Sequence, residues 1–359
     1  MKSTRTITTL PMLRGTIALC GYLVTATATA GGIAPQESVA PEPTNVSDVV
    51  AYPQPSAAFD AMNASDGELA LYGFPPRPDQ QAAPEAYKHW RRLVSAPQKR
   101  IANPRLQQTR IENRPIADAI QNAVVKNTVS TTSSNWSGYA ITGSTGTFRV
   151  NNAWIYTEFV VPIAQQPFGT CSGSWDYSSL WDGFDGYGSS DVLQAGIEAD
   201  AYCSGSTKST YYSAWYEWYP YAETRISSIA VNPGDVMAVE VWYTTSAPYG
   251  HAYIVNYSTQ QSVSLAFNPP SGTTFAGNSA EWVVEAPTVG GGLAAITNYV
   301  AAPFNFNYAY NGSSYYYPGS SPAGTTTYSI TMEPGTSPLS YANLYGLYTL
   351  WFYDEGPAY

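Results

Sequence analysis

The sequence predicts an all-β protein, one large β-sandwich preceded by a signal peptide and a partly helical or disordered prosegment. Three observations carry that expectation. From Asn135 onward, short runs rich in Tyr, Trp, Val, Ile and Thr recur between clusters of Gly, Pro, Asn and Ser. No convincing amphipathic helical pattern appears in the same stretch. Composition and charge change sharply near residue 128, which separates this β-rich text from what comes before it.

Residues 1–30 carry Lys2, Arg5 and Arg14, an apolar stretch from 16 to 24, and the small residues Ala28, Thr29 and Ala30 before Gly31. That order is the pattern of a secretory signal cleaved near Ala30, so a secreted chain is expected. The apolar stretch is short for a membrane anchor, and no other long apolar run follows, so no membrane partner is expected. Residues 31–128 are dominated by Ala, Pro and Gln, and the one plausible long helix lies at 84–96. Within it, residues 86–128 hold nine Lys or Arg against Glu112 and Asp118. Residues 129–359 hold only Arg149, Lys208 and Arg225 against sixteen Asp or Glu. A basic segment ahead of an acidic aromatic domain suggests a propeptide, 31–128, that partners its own domain, 129–359. The pI of about 4.6 argues against nucleic acid as a partner.

In the domain, strand-like runs fall at 153–161, 236–244, 252–257 and 341–353. Strands this short and this numerous suit one sandwich better than two small domains. Cys20 leaves with the signal. Cys171 and Cys203 then form an even pair in an oxidising compartment, and a disulfide between them is expected.

Three stretches hold the chemistry. Residues 180–196 read L-W-D-G-F-D-G-Y-G-S-S-D-V-L-Q-A-G, with Trp181, Asp182 and Asp185 in a glycine-punctuated turn and Gln194 alone in an apolar run. A polar amide in an apolar strand must find hydrogen-bond partners or face an open cleft. Residues 213–220 read S-A-W-Y-E-W-Y-P, and side-chain alternation puts Ser213, Trp215, Glu217 and Tyr219 on one face. Residues 280–287 read A-E-W-V-V-E-A-P, so Glu281, Val283 and Glu285 share a face, with Trp282 and Val284 behind.

These motifs, in this order and preceded by N-W-S-G-Y at Asn135, resemble the glutamic peptidases, or eqolisins. The resemblance runs from about residue 134 to the C-terminus and is clearest up to Pro287. It implies a sandwich of two packed antiparallel sheets with a substrate cleft on one concave face. It also implies a catalytic pair, Gln194 and Glu285, in an acid-acting endopeptidase whose substrates are polypeptides. Glu285 would activate water and return the proton, while the Gln194 amide holds the tetrahedral intermediate. Glu217 would hold water or substrate. Trp181 and Asp185 would orient Gln194. Fungal members often carry an acidic residue where this chain has Ser213, so pH optimum or specificity is expected to differ.

Other chemistries fit less well. Only His89 and His251 exist, and nothing near either resembles a nucleophile elbow. His251 reads as a loop histidine after Tyr249 and Gly250. No His and Cys spacing suits zinc, and Asp182, Asp185 and Asp191 do not match a calcium loop, so neither metal nor cofactor is expected. A retaining glycoside hydrolase using Glu281 and Glu285 is the catalytic alternative, but i and i+4 on an extended strand lie farther apart than retention requires. A carbohydrate-binding β-sandwich is the other alternative, and it gives no reason for a prosegment.

The charge division suggests a trigger. At neutral pH the basic segment would lie against the acidic domain, with Trp90 and Tyr87 filling the aromatic groove. Acid would neutralise the domain's carboxylates, loosen the segment and allow a cut near residues 120–134.

Overall fold

A computed structural model describes residues 40–96, 99–125 and 128–355. The expected signal at 1–30, with Cys20, lies outside the described residues. Among those described, no helix is long and apolar enough to cross a membrane.

Two antiparallel layers build the sandwich. In the first, the strands Thr326–Met332, Trp136–Thr142, Ser279–Glu285, Ser179–Phe184, Val192–Ser204, Thr207–Tyr219 and Thr224–Ile226 lie side by side in that order. In the second the order is Ser340–Tyr345, Thr349–Asp354, Ala301–Tyr310, Ala153–Val160, Val236–Tyr243, Gly250–Asn256 and Gln261–Phe267. The layers join through one rung, Met332 opposite Ser340. Alternation along each strand sends one set of side chains inward. Leu180, Ala195, Ile197, Trp282 and Val284 from the first layer meet Ile155, Phe159, Val239, Ile254 and Phe304 from the second, all buried. This core is the main apolar burial of the molecule, and each layer keeps an outer face.

Most strand expectations hold within a residue or two. The run at 341–353 is instead two strands, broken by a turn whose Gly346 sits at φ 69°. His251 lies within a strand rather than a loop; its ring is buried and stacks on Trp242 at 4.8 Å. Burial lowers its pKa to about 3. The disulfide between Cys171 and Cys203 is formed.

The described residues between 40 and 125 hold more secondary structure than their composition suggests. The expected helix spans Pro84–Ser95, with Pro84 in the first turn, where its missing N–H costs nothing. A second helix, Asp66–Leu71, was not expected from the sequence; Ser65 caps it in a box with Glu68. Strands Glu42–Pro43 and Val49–Ala51 extend the second layer beyond Gln261–Phe267, and Leu106–Gln108 extends the first beyond Thr224–Ile226. The helix Pro84–Ser95 buries Trp90 and Leu93 with Trp154, Tyr156, Trp242 and Tyr253, side chains of the second layer's outer face. Arg92 adds a paired contact to Glu158 at 2.8 Å. Trp90 therefore packs on the layer that lacks Gln194 and Glu285. The expectation that it fills the catalytic groove is corrected by strand alternation, which points Trp154 and Tyr156 away from the first layer.

Candidate active site

The outer face of the first layer carries the candidate residues. Register decides which of them are neighbours. Gln194 lies directly opposite Glu217 on one side and Gly183 on the other. Trp181 lies opposite Gly196 and Val283. Glu285 lies opposite Ser179 and Trp136. Trp136, Trp181, Trp215 and Val283 form a buried apolar floor between these polar groups.

Two glycines of the motif serve close approach rather than turning. A Cβ on Gly196 would stand 2.1 Å from the Leu180 carbonyl oxygen and 2.7 Å from the Trp181 Cβ. One on Gly183 would stand 2.6 Å from the Leu193 carbonyl oxygen. Both lie inside strands. Turning falls to Gly186 and Gly188, at φ 101° and 87°.

A segment of the chain itself runs through the site. Ile111–Glu112 pairs antiparallel with Thr288–Val289, and the Glu223 N–H donates to the Ile111 carbonyl at 2.9 Å. Asn113 follows, fully buried. Its N–H donates to both Glu217 oxygens at 3.2 and 3.1 Å, and its side-chain Nδ2 donates to Glu217 Oε2 at 3.1 Å. Gln194 Nε2 donates to the Asn113 carbonyl oxygen at 2.7 Å. The next N–H, from Arg114, donates to Glu285 Oε1 at 3.0 Å. Downstream, Asn135 Nδ2 donates to the Pro115 carbonyl at 3.3 Å, and Asn135 Oδ1 accepts from the Ala117 N–H at 2.8 Å.

Glu285 is the most heavily supported acid. Oε1 also accepts from Asn135 Nδ2 at 3.3 Å, and Oε2 accepts from Trp181 Nε1 at 3.1 Å. Burial pushes its carboxyl well above the usual range, and the Arg114, Trp181 and Asn135 donors pull against that. Burial raises Glu217 well above its usual range too, opposed by the Asn113 donors.

Some expected roles fall elsewhere. Trp181 donates to Glu285, and not to Gln194 as expected. Asp185, in a left-handed conformation at φ 71°, accepts from the Gly277 and Asn278 N–H groups at 2.8 Å each and so anchors a loop. Asp191 accepts from Trp218 Nε1 at 3.2 Å, and Asp182 alternates to the inner face with Leu180 and Phe184. The three aspartates thus do not converge, and no metal-sized group of three His, Cys, Asp or Glu occurs among the described residues. Asn113 and Asn135 were missed as site residues. Asn135 opens the N-W-S-G-Y motif, so its place there was the available signal; Asn113 carries none.

The chain is similar to known proteins. Residues 134–346 match the profile of the Peptidase A4 family. Aspergillopepsin-2 of Aspergillus niger is 32% identical over 197 residues, 51% of this chain and 66% of that protein. Scytalidopepsin B of Scytalidium lignicola is 31% identical over 156 residues, 43% of this chain and 52% of that protein. The chain thus spans between half and two thirds of the length of these relatives. Among solved structures, scytalido-glutamic peptidase with a transition state analog inhibitor aligns at 23% identity and a TM-score of 0.49, covering 62% of this chain and 98% of that one.

Proposed function

Because the chain belongs to the Peptidase A4 family, we propose that it is a secreted, acid-acting glutamic endopeptidase that hydrolyses polypeptides through Gln194 and Glu285. The observation that carries this reading is a single peptide group held by both residues. Gln194 donates to its carbonyl oxygen at 2.7 Å, and Glu285 accepts from its nitrogen at 3.0 Å. Peptide hydrolysis needs a base for water, a donor for the oxyanion and a proton for the leaving nitrogen.

Glu285 supplies the first and third. Its ionised fraction, which burial reduces and the Trp181 and Asn135 donors favour, takes a proton from water while the water oxygen adds to the carbonyl carbon. It stands within reach of the leaving nitrogen, to which it returns that proton as the carbon–nitrogen bond breaks. Gln194 supplies the second: the hydrogen bond it donates to the carbonyl oxygen strengthens as charge develops there. A neutral donor adds no charge of its own to shift the acid. Glu217, opposite Gln194, receives the N–H on the acyl side of the bond and so positions the substrate backbone. Trp181 and Asn135 hold Glu285 in place. The signal-like start at 1–30 supports secretion, and the acidic domain with its few cations suits acid service.

The test is a substrate comparison. Acid-treated protein is incubated with a denatured protein and, separately, with β-glucans. Cleavage of the polypeptide alone is expected; cleavage of the glucan alone would overturn the assignment.

A further inference from the structure

We infer that the chain's own first substrate is the Asn113–Arg114 peptide bond, seated between Gln194 and Glu285 in cutting register. The inference rests on the peptidase reading above and adds the bond and its direction to it.

Three sets of contacts fix that register. Before the bond, Ile111–Glu112 is laid down as a strand against Thr288–Val289, and the Asn113 N–H and Nδ2 both reach Glu217. At the bond, the carbonyl oxygen and the nitrogen of one peptide group are held by the two members of the pair. After it, the Ile116 N–H donates to the Gly186 carbonyl at 3.2 Å, and Asn135 grips Pro115 and Ala117. A slip of one residue would turn this side of the extended segment away from the pair. Pro115 reinforces the extended path, because the residue before a proline is kept out of helical backbone. Among the described residues, no other peptide group has both its oxygen and its nitrogen on the pair.

The step balances with one water. Water's oxygen bonds to the Asn113 carbonyl carbon, and one of its protons passes to Glu285. The oxyanion rests on Gln194 Nε2. The Asn113–Arg114 bond then breaks, and Glu285 gives its proton to the Arg114 nitrogen. The products are an Asn113 carboxyl and an Arg114 amine. For water to enter, the direct Arg114 N–H contact to Glu285 must lengthen, so the seated segment also blocks the site until it is cut.

This puts the first cut upstream of the 120–134 window that charge alone suggested. The described part of that window is laid into sheet: Ile120–Val125 pairs with Thr128–Ser133, which pairs in parallel with Thr326–Met332. A peptide bond inside such a ladder is not presented to the pair.

The experiment follows the full chain, purified at neutral pH and moved to pH 4 at two concentrations a hundredfold apart. Intact mass and N-terminal sequence are read over time, and activity on a denatured protein is read in parallel. We expect a new N-terminus at Arg114, with a rate constant independent of concentration. Arg114→Pro removes the N–H that Glu285 accepts while leaving the pair untouched, and should slow this cut at least 10²-fold. Glu285→Gln should leave the bond whole. Denatured protein cut at full rate while Asn113–Arg114 stays intact would overturn this inference and leave the peptidase reading standing. So would an Arg114→Pro chain cut at 113–114 like the parent. A chain that cuts neither itself nor denatured protein would overturn both.

Discussion

Trp181 Nε1 donates to Glu285 Oε2 at 3.1 Å, across 104 residues of sequence and from the neighbouring strand. Gly196, opposite Trp181 on the other side, leaves room for the Trp181 Cβ, which a Cβ at 196 would approach to 2.7 Å. An N–H on a carboxylate favours the charged form, so this bond counters the burial that raises Glu285. Trp181→Phe keeps a ring on the apolar floor and deletes the donor. The acid limb of the kcat profile should move to higher pH, by about one unit if a charge-assisted bond is lost. An unmoved limb would mean that Trp181 only packs.

Gln194→Ala and Glu285→Gln should each abolish peptidase activity with the fold retained. Loss of one oxyanion donor typically costs about 10²–10³ in rate. Without Glu285, no other acid touches the leaving nitrogen in the described structure. Turnover on a denatured protein, with near-ultraviolet circular dichroism as the fold control, is the measurement. Wild-type turnover in either folded variant would refute the assignment.

Stability should fall as pH rises from about 4 to 7. Burial and the nearby Asp191 raise Asp185 to about 7, and burial raises Asp191 and Asp176 to about 6, from 3.8. Each folded form holds its proton more tightly than the unfolded chain, so its contribution is full below the unfolded value and is lost through pH 6 to 7. His89 and His251, lowered by burial to about 4 and 3 from 6.5, act oppositely and cost stability as pH falls below 6.5. The raised carboxyls, joined by Glu217 and Glu281, which burial also raises well above their usual range, outnumber them. Melting of the uncut Glu285→Gln chain should give a higher Tm near pH 4 than near pH 7. The reverse order would contradict this balance.

Gly196→Ala should destabilise the chain by about 1–3 kcal/mol, the usual range for overpacking. Its Cβ would meet a backbone carbonyl, Leu180 O at 2.1 Å, which cannot swing aside as a side chain could. Urea unfolding of the uncut chain measures it. A midpoint equal to the parent's would show that the strand pair can spread at this rung without loss.

Cys171→Ser with Cys203→Ser opens a loop closed across 32 residues, and about 2–4 kcal/mol of stability should go with it. The loss should appear in the unfolding midpoint of the oxidised parent against the double variant. An equal midpoint would place this bridge outside the stability of the fold.

Much of this was legible along the chain because strand alternation is a local property. Period two alone sets Glu217 beside Trp215, and Glu281 beside Val283 and Glu285, on one face, and the sheet bears that out. The helix at 84–95 was legible for the same reason, from its own composition. Register was not. That Gln194 stands opposite Glu217, that Trp181 serves Glu285 and not Gln194, and that Asp185 holds a distant loop are consequences of which strands pair and in what phase. Nor could the seat of residues 111–117 be read. Asn113 meets Gln194 across 81 residues and Arg114 meets Glu285 across 171, and neither asparagine nor arginine there bears any pattern of its own. Which face of the chain is buried is written in each strand's alternation; which strands meet is decided only when the whole core packs, because that choice minimises exposed apolar surface and unpaired backbone over the entire sandwich at once.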